Sequence, residues 1–301
     1  MIVVKVIGGL GNQLFQIAYA IALSKERNNC QIYLDISAFD KYKIRPFSAS
    51  NLNLPDNISI LDGDTLPASK TFFYSATQIM YRITQRILKE IGFKYQYGKI
   101  PHKLLQYLGL IYNFDTYFYR PTVQRSNLCL YGYFQNENYF KRHKLDIVHA
   151  FINKKKLDSV TESYKSKITQ STAIAVSMRL GQDYIDSGDF YICSGKYYKE
   201  GLDRLKERYP EADIFVFSDD IDKAKNILDK EVNITFIEQC SDCSSLYLMS
   251  LCDHFVIANS SFSWWGSYLG TNPKKSIIAP KNWFIYMDEV NNIYTENMEL
   301  I

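Results

Sequence analysis

The chain has 301 residues, of which 47% are hydrophobic and 22% charged, and its formal net charge is +3 at pH 7. This length exceeds one ordinary core and predicts two domains of roughly 150 residues each. The small net charge argues against a nucleic-acid-binding protein that relies on broad phosphate contacts. No apolar run in the sequence reaches the roughly 18 residues that a membrane-spanning helix needs.

The first elements are a strand, a glycine turn, a helix and a second strand. Residues 1–7 are apolar and mostly β-branched, which predicts a buried strand. The turn at residues 8–12 has the sequence Gly-Gly-Leu-Gly-Asn and leads into a helix predicted over residues 13–27, with a strand at 31–35. This βαβ unit begins like a dinucleotide-binding fingerprint, but Leu14 stands at the third glycine position, so the fingerprint is incomplete.

The segment from residue 36 to residue 125 has a weaker pattern. Residues 72–112 are rich in aromatic and basic side chains, and Ile79, Ile83 and Ile87 have helical spacing, which predicts an amphipathic helix. We favour the interpretation that its apolar side packs on the core while its basic side is solvated. The alternative is a helix that rests on a membrane surface, which leaves peripheral contact with the inner membrane open.

From residue 172 onward, strands and helices alternate regularly. Strands are predicted at residues 173–178, 213–218, 234–237, 254–258 and 276–280. Because these strands are nearly continuous apolar runs, they indicate a parallel sheet covered by helices on both faces. We therefore predict an α/β fold with a Rossmann-like C-terminal domain over residues 161–301, preceded by an N-terminal domain over residues 1–160.

An arginine follows the first of these strands. Ligands of open parallel sheets bind just beyond the carboxyl ends of the strands. Arg179 stands at such an end and is followed by Gly181 and Asp183. A guanidinium can hold a phosphate through forked, charge-assisted hydrogen bonds. Asp183 could orient that arginine, although a purely structural Arg–Asp pair explains the pattern equally well.

Two further strand ends carry polar residues. Ser218, Asp219 and Asp220 follow one strand, and their carboxylates suit the donors of guanine or a ribose hydroxyl, but Ser and Asp are also favoured as helix caps. Residues 259–262 begin a helix with hydroxyls and backbone amides, which together form an anion site. The strand ends together predict a diphosphate site, which glycosyl transfer needs because charge grows on the departing nucleoside diphosphate.

Several segments together resemble one family, the bacterial α-1,2-fucosyltransferases of glycosyltransferase family eleven. These segments are residues 8–16 (GGLGNQLFQ), 131–140, 214–221 (IFVFSDDI), 248–270 (LMSLCDHFVIANSSFSWWGSYLG) and 277–284 (IIAPKNWF). The resemblance spans nearly the whole chain and is weakest over residues 36–125. It implies a fold of the GT-B type, in which two Rossmann-like domains face each other across a cleft.

The resemblance also implies a reaction and a set of site residues. It implies an inverting, metal-independent enzyme without a cofactor that moves L-fucose from GDP-fucose to the 2-hydroxyl of a galactose residue. The acceptor would be an oligosaccharide or lipid-linked glycan for a bacterial surface polysaccharide, met by the N-terminal domain. Donor contacts are implied for Gly11, Asn12, Ser177, Arg179, Ser218, Asp219, Asp220, Asn259, Ser260, Ser261 and Phe262. Catalytic roles are implied for Arg179 at the β-phosphate, for Asn12 at the cleft and for Asp183.

The arginine motif departs from the family pattern His-x-Arg-x-Gly-Asp. Ser177 stands at the histidine position, Leu180 replaces a second arginine that is often present, and Gln182 is inserted before Asp183. The departure affects the nucleotide contact at position 177 and leaves the phosphate grip of Arg179 in place. No carboxylate is assigned as the general base. We therefore hypothesise that the departing phosphate takes the proton of the acceptor hydroxyl.

Two other functions are alternatives to glycosyl transfer. A nicotinamide-dependent oxidoreductase would use the N-terminal glycine turn, but its fingerprint is incomplete. A noncatalytic carbohydrate-binding protein would use some of the 24 Tyr and 18 Phe residues, but it gives no reason for Arg179 together with a serine-rich helix start.

The expected compartment is the cytoplasm. The N-terminal sequence lacks a secretory signal pattern, and six scattered cysteines do not form a disulfide framework. Cys240 and Cys243 have the spacing of a CxxC pair, but the sequence offers no companions for a zinc site.

Overall fold

The computed structural model describes most of the chain in two compact units, residues 1–151 and residues 152–301. The sequence places the domain boundary near residue 160. The described residues are 1–41, 45–61, 75–76, 79–80, 82–84, 86–87, 89–92, 103–114, 116–122, 124–152, 157–186, 191–229, 232–284 and 293–301.

The N-terminal unit contains a five-stranded parallel sheet of order β3-β2-β1-β5-β4. Its strands are β1 (Ile2–Lys5), β2 (Ile32–Asp35), β3 (Ile58–Leu61), β4 (Leu110–Asn113) and β5 (Leu128–Gly132). Its helices are α1 (Leu10–Lys25), α2 (Ala38–Lys41) and α3 (Lys144–Ala150), with 3-10 turns at Ala49–Asn51, Gln106–Leu108, Glu137–Tyr139 and Lys141–His143. The predicted N-terminal βαβ unit is thereby confirmed as β1-α1-β2.

Helix α1 differs from the helix predicted over residues 13–27. It begins at Leu10, three residues before the predicted start, because Gly9 is its N-cap. Nearly every residue from Leu10 to Ser24 is buried, including the polar side chains of Gln13 and Gln16. A helix that is buried on all sides belongs to the interior of its domain.

The helical segment between residues 79 and 90 contradicts the favoured core-packing interpretation. The described residues of this segment are helical, yet Ile79, Ile83 and Ile87 are 55%, 46% and 55% exposed. Met80 and Ile91 are exposed as well. The apolar side chains therefore face solvent instead of the core of the N-terminal unit.

The C-terminal unit contains a six-stranded parallel sheet of order β11-β10-β9-β6-β7-β8. Its strands are β6 (Ala173–Met178), β7 (Asp213–Ser218), β8 (Ile234–Phe236), β9 (His254–Ile257), β10 (Ile277–Ala279) and β11 (Met298–Leu300). Its helices are α4 (Ser159–Ile168), α5 (Gln182–Ile185), α6 (Gly195–Arg208), α7 (Ile221–Ile227), α8 (Asp242–Ser250) and α9 (Ser261–Leu269). This is the Rossmann strand order, whose ligand crevice lies where the winding direction reverses, here between β6 and β9.

Helix α9 is fixed deep in the C-terminal unit. Trp264 and Trp265 are fully buried, and the indole of Trp264 donates a hydrogen bond to the carbonyl of Ile293 at 2.7 Å. Trp264 also stacks on Tyr268, with ring centroids 4.5 Å apart. These contacts hold the start of α9 at the carboxyl edge of the sheet. No helix in the described parts of the chain is both long and apolar enough to cross a membrane.

Gly132, at the end of β5, provides a test of the sheet geometry. Its φ is +150°, and a Cβ there would overlap the backbone carbonyl of Asn113 on β4. We expect Gly132→Ala to lower the free energy of unfolding by at least about 3 kcal/mol, because backbone cannot yield as a side chain can. Urea unfolding followed by circular dichroism measures the loss.

Gly92→Ala is the matched control. Gly92 also has a positive φ, +77°, but a Cβ there would meet nothing within 4 Å. We expect it to lower the free energy of unfolding by about 1 kcal/mol, the ordinary strain of a positive φ. Equal losses in the two variants would show that the close approach of β4 and β5 is unimportant.

Candidate active site

Arg179 and Asp219 meet at the carboxyl edge of the C-terminal sheet. β6 and β7 are paired in register with Met178 opposite Ser218, so the next residue of each strand lies at the same edge. The guanidinium of Arg179 donates from Nη1 to Asp219 Oδ2. The two side chains are 18% and 21% exposed, so the pair is partly open to solvent.

Asp219 also holds the turn that follows Arg179. Its Oδ1 accepts a hydrogen bond from the amide of Leu180 at 2.7 Å, and its Oδ2 accepts one from the amide of Gly181 at 3.1 Å. The guanidinium carbon of Arg179 lies 5.3 Å from the ring centroid of Tyr184. The backbone and the side chain of the arginine turn are therefore both fixed by the neighbouring strand end.

The sequence predicts Asp183 as an acid that could orient Arg179. Asp183 belongs to helix α5, but its side chain lies outside the described residues. Among the described residues, Asp219 supplies a carboxylate that accepts a bond from the guanidinium. It lies 40 residues further along the chain. Sequence spacing missed this partner because only the pairing of β6 with β7 brings it close.

Asp220 is the N-cap of helix α7. Its Oδ1 accepts a hydrogen bond from the amide of Lys223 at 3.0 Å, and Lys223 Nζ lies 3.0 Å from its Oδ2. The backbone hydrogen bond, followed by the side-chain bond from the same lysine, lowers the pKa of Asp220. The Ser218 hydroxyl donates to the carbonyl of Asp220 at 3.0 Å, so both predicted residues shape the same turn.

The serine-rich helix start lies beyond β9. Ser260 is the N-cap of α9, in an extended conformation, and its side chain makes no capping hydrogen bond. Ser260, Ser261 and Phe262 are each half-buried. Since a helix N-terminus carries unsatisfied amides and a partial positive charge, this end of α9 suits an anion.

Ser177 lies behind this edge and contacts α9. Its hydroxyl is 2.7 Å from that of Ser263, and both side chains are buried. The backbone carbonyl of Ser177 also accepts a hydrogen bond from the amide of Ala258 at 2.9 Å. Position 177 therefore joins β6 to the first turn of α9. Sequence analysis missed Ser263, although its position two residues into a serine-rich turn was a signal.

Asn259 is a buried crosslink between loops. Its amide nitrogen donates to the carbonyl of Tyr191 at 2.5 Å and to that of Trp283 at 2.7 Å. Its Oδ1 accepts from the thiol of Cys193 at 3.4 Å, and burial raises the pKa of that thiol to about 11, so it remains a protonated donor. The side chain predicted to bind the donor is thus surrounded by protein groups.

The hydroxyl of Tyr184 completes this crosslink. It donates to the backbone carbonyl of Asn259 at 3.0 Å, and burial raises the pKa of Tyr184, which keeps the hydroxyl protonated. The same ring lies beside the guanidinium of Arg179. Tyr184 therefore connects the arginine turn after β6 to the turn after β9.

In the N-terminal unit, Asn12 and Gln135 meet at the carboxyl edge. β1 and β5 are parallel neighbours, and the amide of Gln135, beyond β5, donates to Asn12 Oδ1 at 2.9 Å. Asn12 is half-buried, whereas its predicted neighbour Gly11 is buried inside α1. With its oxygen used by Gln135, Asn12 presents the NH2 end of its amide as a donor.

Two buried glutamines hold the glycine turn. The amide of Gln16 donates to the carbonyl of Ile7 at 2.8 Å and accepts from the amide of Ile7 at 3.0 Å. Gln13 donates to the carbonyls of Gly8 and Pro46 at 3.0 Å and 2.9 Å and accepts from the amide of Ser48 at 3.0 Å. Two polar residues three apart within an apolar helix were the available signal.

Among the residues that the structure describes, no group of three or more His, Cys, Asp or Glu side chains could hold a metal ion.

Comparison with known proteins gives sequence relatives over nearly the whole chain. A family model described as Glycosyl transferase family 11 matches residues 1–297. An Alpha-1,2-colitosyltransferase of Escherichia coli is 30% identical over 298 residues, which cover 94% of this chain and 92% of the relative. The O-antigen biosynthesis glycosyltransferase WbnK of Escherichia coli is 27% identical, over 92% of this chain and 93% of the relative.

The solved structures give a likeness of fold. The NodZ alpha-1,6-fucosyltransferase of Bradyrhizobium, in crystals soaked with GDP-fucose, matches with a TM-score of 0.51 and 11% identity over 92% of this chain and 94% of that chain. With the two parallel sheets, this match confirms the predicted fold class, an α/β fold of the GT-B type built from two Rossmann-like domains.

Proposed function

This chain belongs to glycosyl transferase family 11, and on that premise we propose that it moves L-fucose from GDP-fucose to the 2-hydroxyl of a galactose residue in a glycan acceptor. The relative named an Alpha-1,2-colitosyltransferase supports the linkage, and WbnK supports a role in O-antigen synthesis. The NodZ crystals soaked with GDP-fucose support the donor, because that protein shares the fold.

The proposal that the protein binds GDP-fucose rests on the position of Arg179, at the end of β6 and on the same sheet edge as the start of α9. A guanidinium has five N–H donors, so Arg179 can bind the β-phosphate while it keeps its bond to Asp219. Ser260, Ser261 and Phe262 would line the pyrophosphate at the helix start. These fixed positive groups stabilise the charge that grows on GDP as the sugar bond breaks.

At the guanine base, Asp220 is the better candidate of the two carboxylates. The carboxylate of Asp219 already accepts bonds from Arg179, Leu180 and Gly181, whereas the bonds described for the carboxylate of Asp220 come from Lys223. Ser218 would stand beside it. Ser177 and Asn259 would support the site without contacting the base, since their side chains are buried in contacts with other protein groups.

For the transfer step we propose inversion without a metal ion. In a loose, ion-pair-like transition state, the bond between fucose and GDP breaks while the acceptor hydroxyl adds to the anomeric carbon from the opposite face. The hydroxyl releases its proton, and the departed phosphate of GDP accepts it. Asn12 donates from its amide NH2 to an oxygen of the acceptor or of fucose, since its own oxygen is held by Gln135. This arrangement needs no carboxylate base.

We also propose peripheral contact of this protein with an anionic bilayer, where a lipid-linked acceptor would be met. The exposed side chains of Ile79, Ile83 and Ile87 form an apolar stripe on the described helical segment. Arg82 and Arg86 fall on one flank of that stripe at helical spacing and are also exposed. Apolar side chains bordered by cations are typical of helices that lie in the headgroup region of a membrane.

The donor is tested by thermal unfolding with GDP, GDP-fucose, GDP-colitose, UDP and NAD, each with EDTA. Colitose is the 3-deoxy analogue of fucose, and a relative is named for it. A ligand that binds only the folded state at 100 times its Kd adds about 2.7 kcal/mol, which raises the Tm by several degrees. We expect GDP and GDP-fucose to raise the Tm, and UDP and NAD to leave it unchanged.

Other outcomes of this panel point elsewhere. A larger shift with GDP-colitose than with GDP-fucose would reassign the sugar. A shift with NAD alone would favour an oxidoreductase, and no shift with any nucleotide would favour a noncatalytic protein.

Arg179→Ala tests the phosphate grip. We expect kcat to fall by about two orders of magnitude, equivalent to about 3 kcal/mol of transition-state stabilisation. Asp219→Asn should give a smaller loss, because an amide can still accept from Leu180 but no longer carries the charge that holds the guanidinium. Asp222→Asn, on the exposed face of α7, is the matched control. An Arg179→Ala enzyme with at least half the native kcat would contradict the role.

Vesicle sedimentation tests the membrane contact. We expect binding to vesicles containing phosphatidylglycerol and none to phosphatidylcholine alone. Arg82→Gln and Arg86→Gln should each weaken binding about fivefold, since a basic side chain near an anionic surface contributes about 1 kcal/mol. Ile83→Asn should weaken it further, and Leu145→Asn, at an apolar position that is 87% exposed outside the stripe, should not. Equal binding to both vesicle types would contradict the proposal.

A further inference from the structure

A groove lies along the edge strand of the N-terminal sheet. It is lined by residues before β4, chiefly Lys103 and Tyr107, and by residues after β4, chiefly Tyr117, Phe118, Tyr119 and Arg120. Its volume is about 580 Å³, within the range of small-molecule sites. We call these residues the 103–120 groove.

Two aromatic rings of the groove are exposed to solvent. Tyr107 is 57% exposed and Phe118 is 39% exposed. Exposed aromatic rings in a concave site offer flat apolar faces, on which the C–H faces of sugar rings can lie. Lys103 and Arg120 are also exposed and add positive charge to the same walls.

The walls of the groove are held in place by buried groups. Gln106 is 4% exposed, and its Oε1 accepts from the amide of Thr122 at 2.8 Å, which ties the segment after β4 to the segment before it. The buried amide of Asn113 donates to the carbonyl of Tyr117 at 2.9 Å. The hydroxyl of Tyr139 accepts from the amide of Tyr119 at 3.1 Å. The groove is therefore formed before any ligand arrives.

One end of the groove is linked to the turn that carries Gln135. The buried amide of Asn136 donates to the carbonyl of Thr116 at 2.8 Å, next to Tyr117. The preceding residue, Gln135, donates to Asn12. A chain of sugars with its reacting residue at Asn12 would thus run outward past Thr116 along the edge of the sheet.

From this arrangement we infer that the 103–120 groove is an extended acceptor subsite, and that it takes an oligosaccharide with an anionic group several sugars from the reacting galactose. The inference rests on the proposed function. The aromatic rings bind the sugar units, and Lys103 and Arg120 pair with the anionic group. That group is either an acidic sugar or the phosphate that links a glycan to its lipid.

Acceptor length and charge provide the kinetic test. Three probes are compared: methyl β-galactoside, a neutral galactose-terminated pentasaccharide, and the same pentasaccharide with a reducing-end phosphate. A fourth probe carries a uronic acid in place of the phosphate, and the better of the two anionic probes identifies the source of the charge. For the native enzyme we expect KM to fall with length and again with charge.

Variants of the groove should alter these preferences selectively. Tyr107→Ala and Phe118→Ala should each raise the KM for the pentasaccharides about tenfold, the scale of one lost aromatic contact. Arg120→Gln should abolish the preference for the charged probe, and Arg142→Gln, at an exposed arginine outside the groove, should retain it. In every variant kcat and KM for methyl β-galactoside should stay unchanged. Equal KM changes for the short and long acceptors, or none, would overturn the inference.

A binding measurement separates this inference from the proposed function. Saturation-transfer NMR of the phosphorylated pentasaccharide with the donor-free protein needs no GDP-fucose. We expect a signal that Tyr107→Ala and Arg120→Gln each reduce. Loss of GDP-fucose turnover with this signal intact would refute the proposed donor and keep the groove, whereas turnover with no signal, or with a signal unchanged in both variants, would refute the groove.

Discussion

The parallel register of β6 with β7 and β9 determines where the groups of the candidate donor site meet. Met178 lies opposite Ser218, and Ser177 lies opposite Ile257, so three strand ends reach the same edge. Arg179 and Asp219, which lie 40 positions apart in the chain, thereby become neighbours. A one-residue slip of β6 would turn Arg179 to the other face of the sheet and separate it from Asp219.

Buried amides help to fix the loops at the carboxyl edge of each sheet. Asn259 in the C-terminal unit and Gln13 and Gln16 in the N-terminal unit each bond to backbone groups that no strand or helix pairs. A buried backbone group without a partner costs about 1–3 kcal/mol, so each amide stabilises one particular loop conformation over its alternatives. The residues that resemble the family's signature are therefore partly the framework of the site and not its contact surface.

The sequence predicted the sheet of the C-terminal unit well for a physical reason. β6 and β7 are apolar runs that end in polar residues, and both match their predicted bounds, 173–178 and 213–218. β11 was not predicted, because Met298–Leu300 is only three residues long and half-exposed, and pairs with β10 some twenty residues earlier. A strand this short depends on pairing with its neighbour, which periodicity cannot reveal.

The candidate site was predictable in its residue types and less so in its contacts. Strand ends locate Arg179, Asp219 and Ser260, since parallel strands place all such ends at one edge. Side-chain partners depend on register and rotamers, so spacing along the sequence did not indicate that Asp219 bonds to Arg179. The exposed isoleucines at 79 and 83 show a related limit, because helical spacing identifies an apolar face without saying what covers it.

Ser177 is a residue predicted to contact the donor that the structure places in the framework of the site. A histidine at this position would add a titratable ring with an ordinary pKa near 6.5. The serine instead forms a neutral hydroxyl pair with Ser263 inside the sheet-helix interface. The hydroxyl pair ties the strand that carries Arg179 to the first turn of α9. Position 177 thereby fixes the spacing between the arginine turn and the helix start, the two elements to which we assign the diphosphate of the donor.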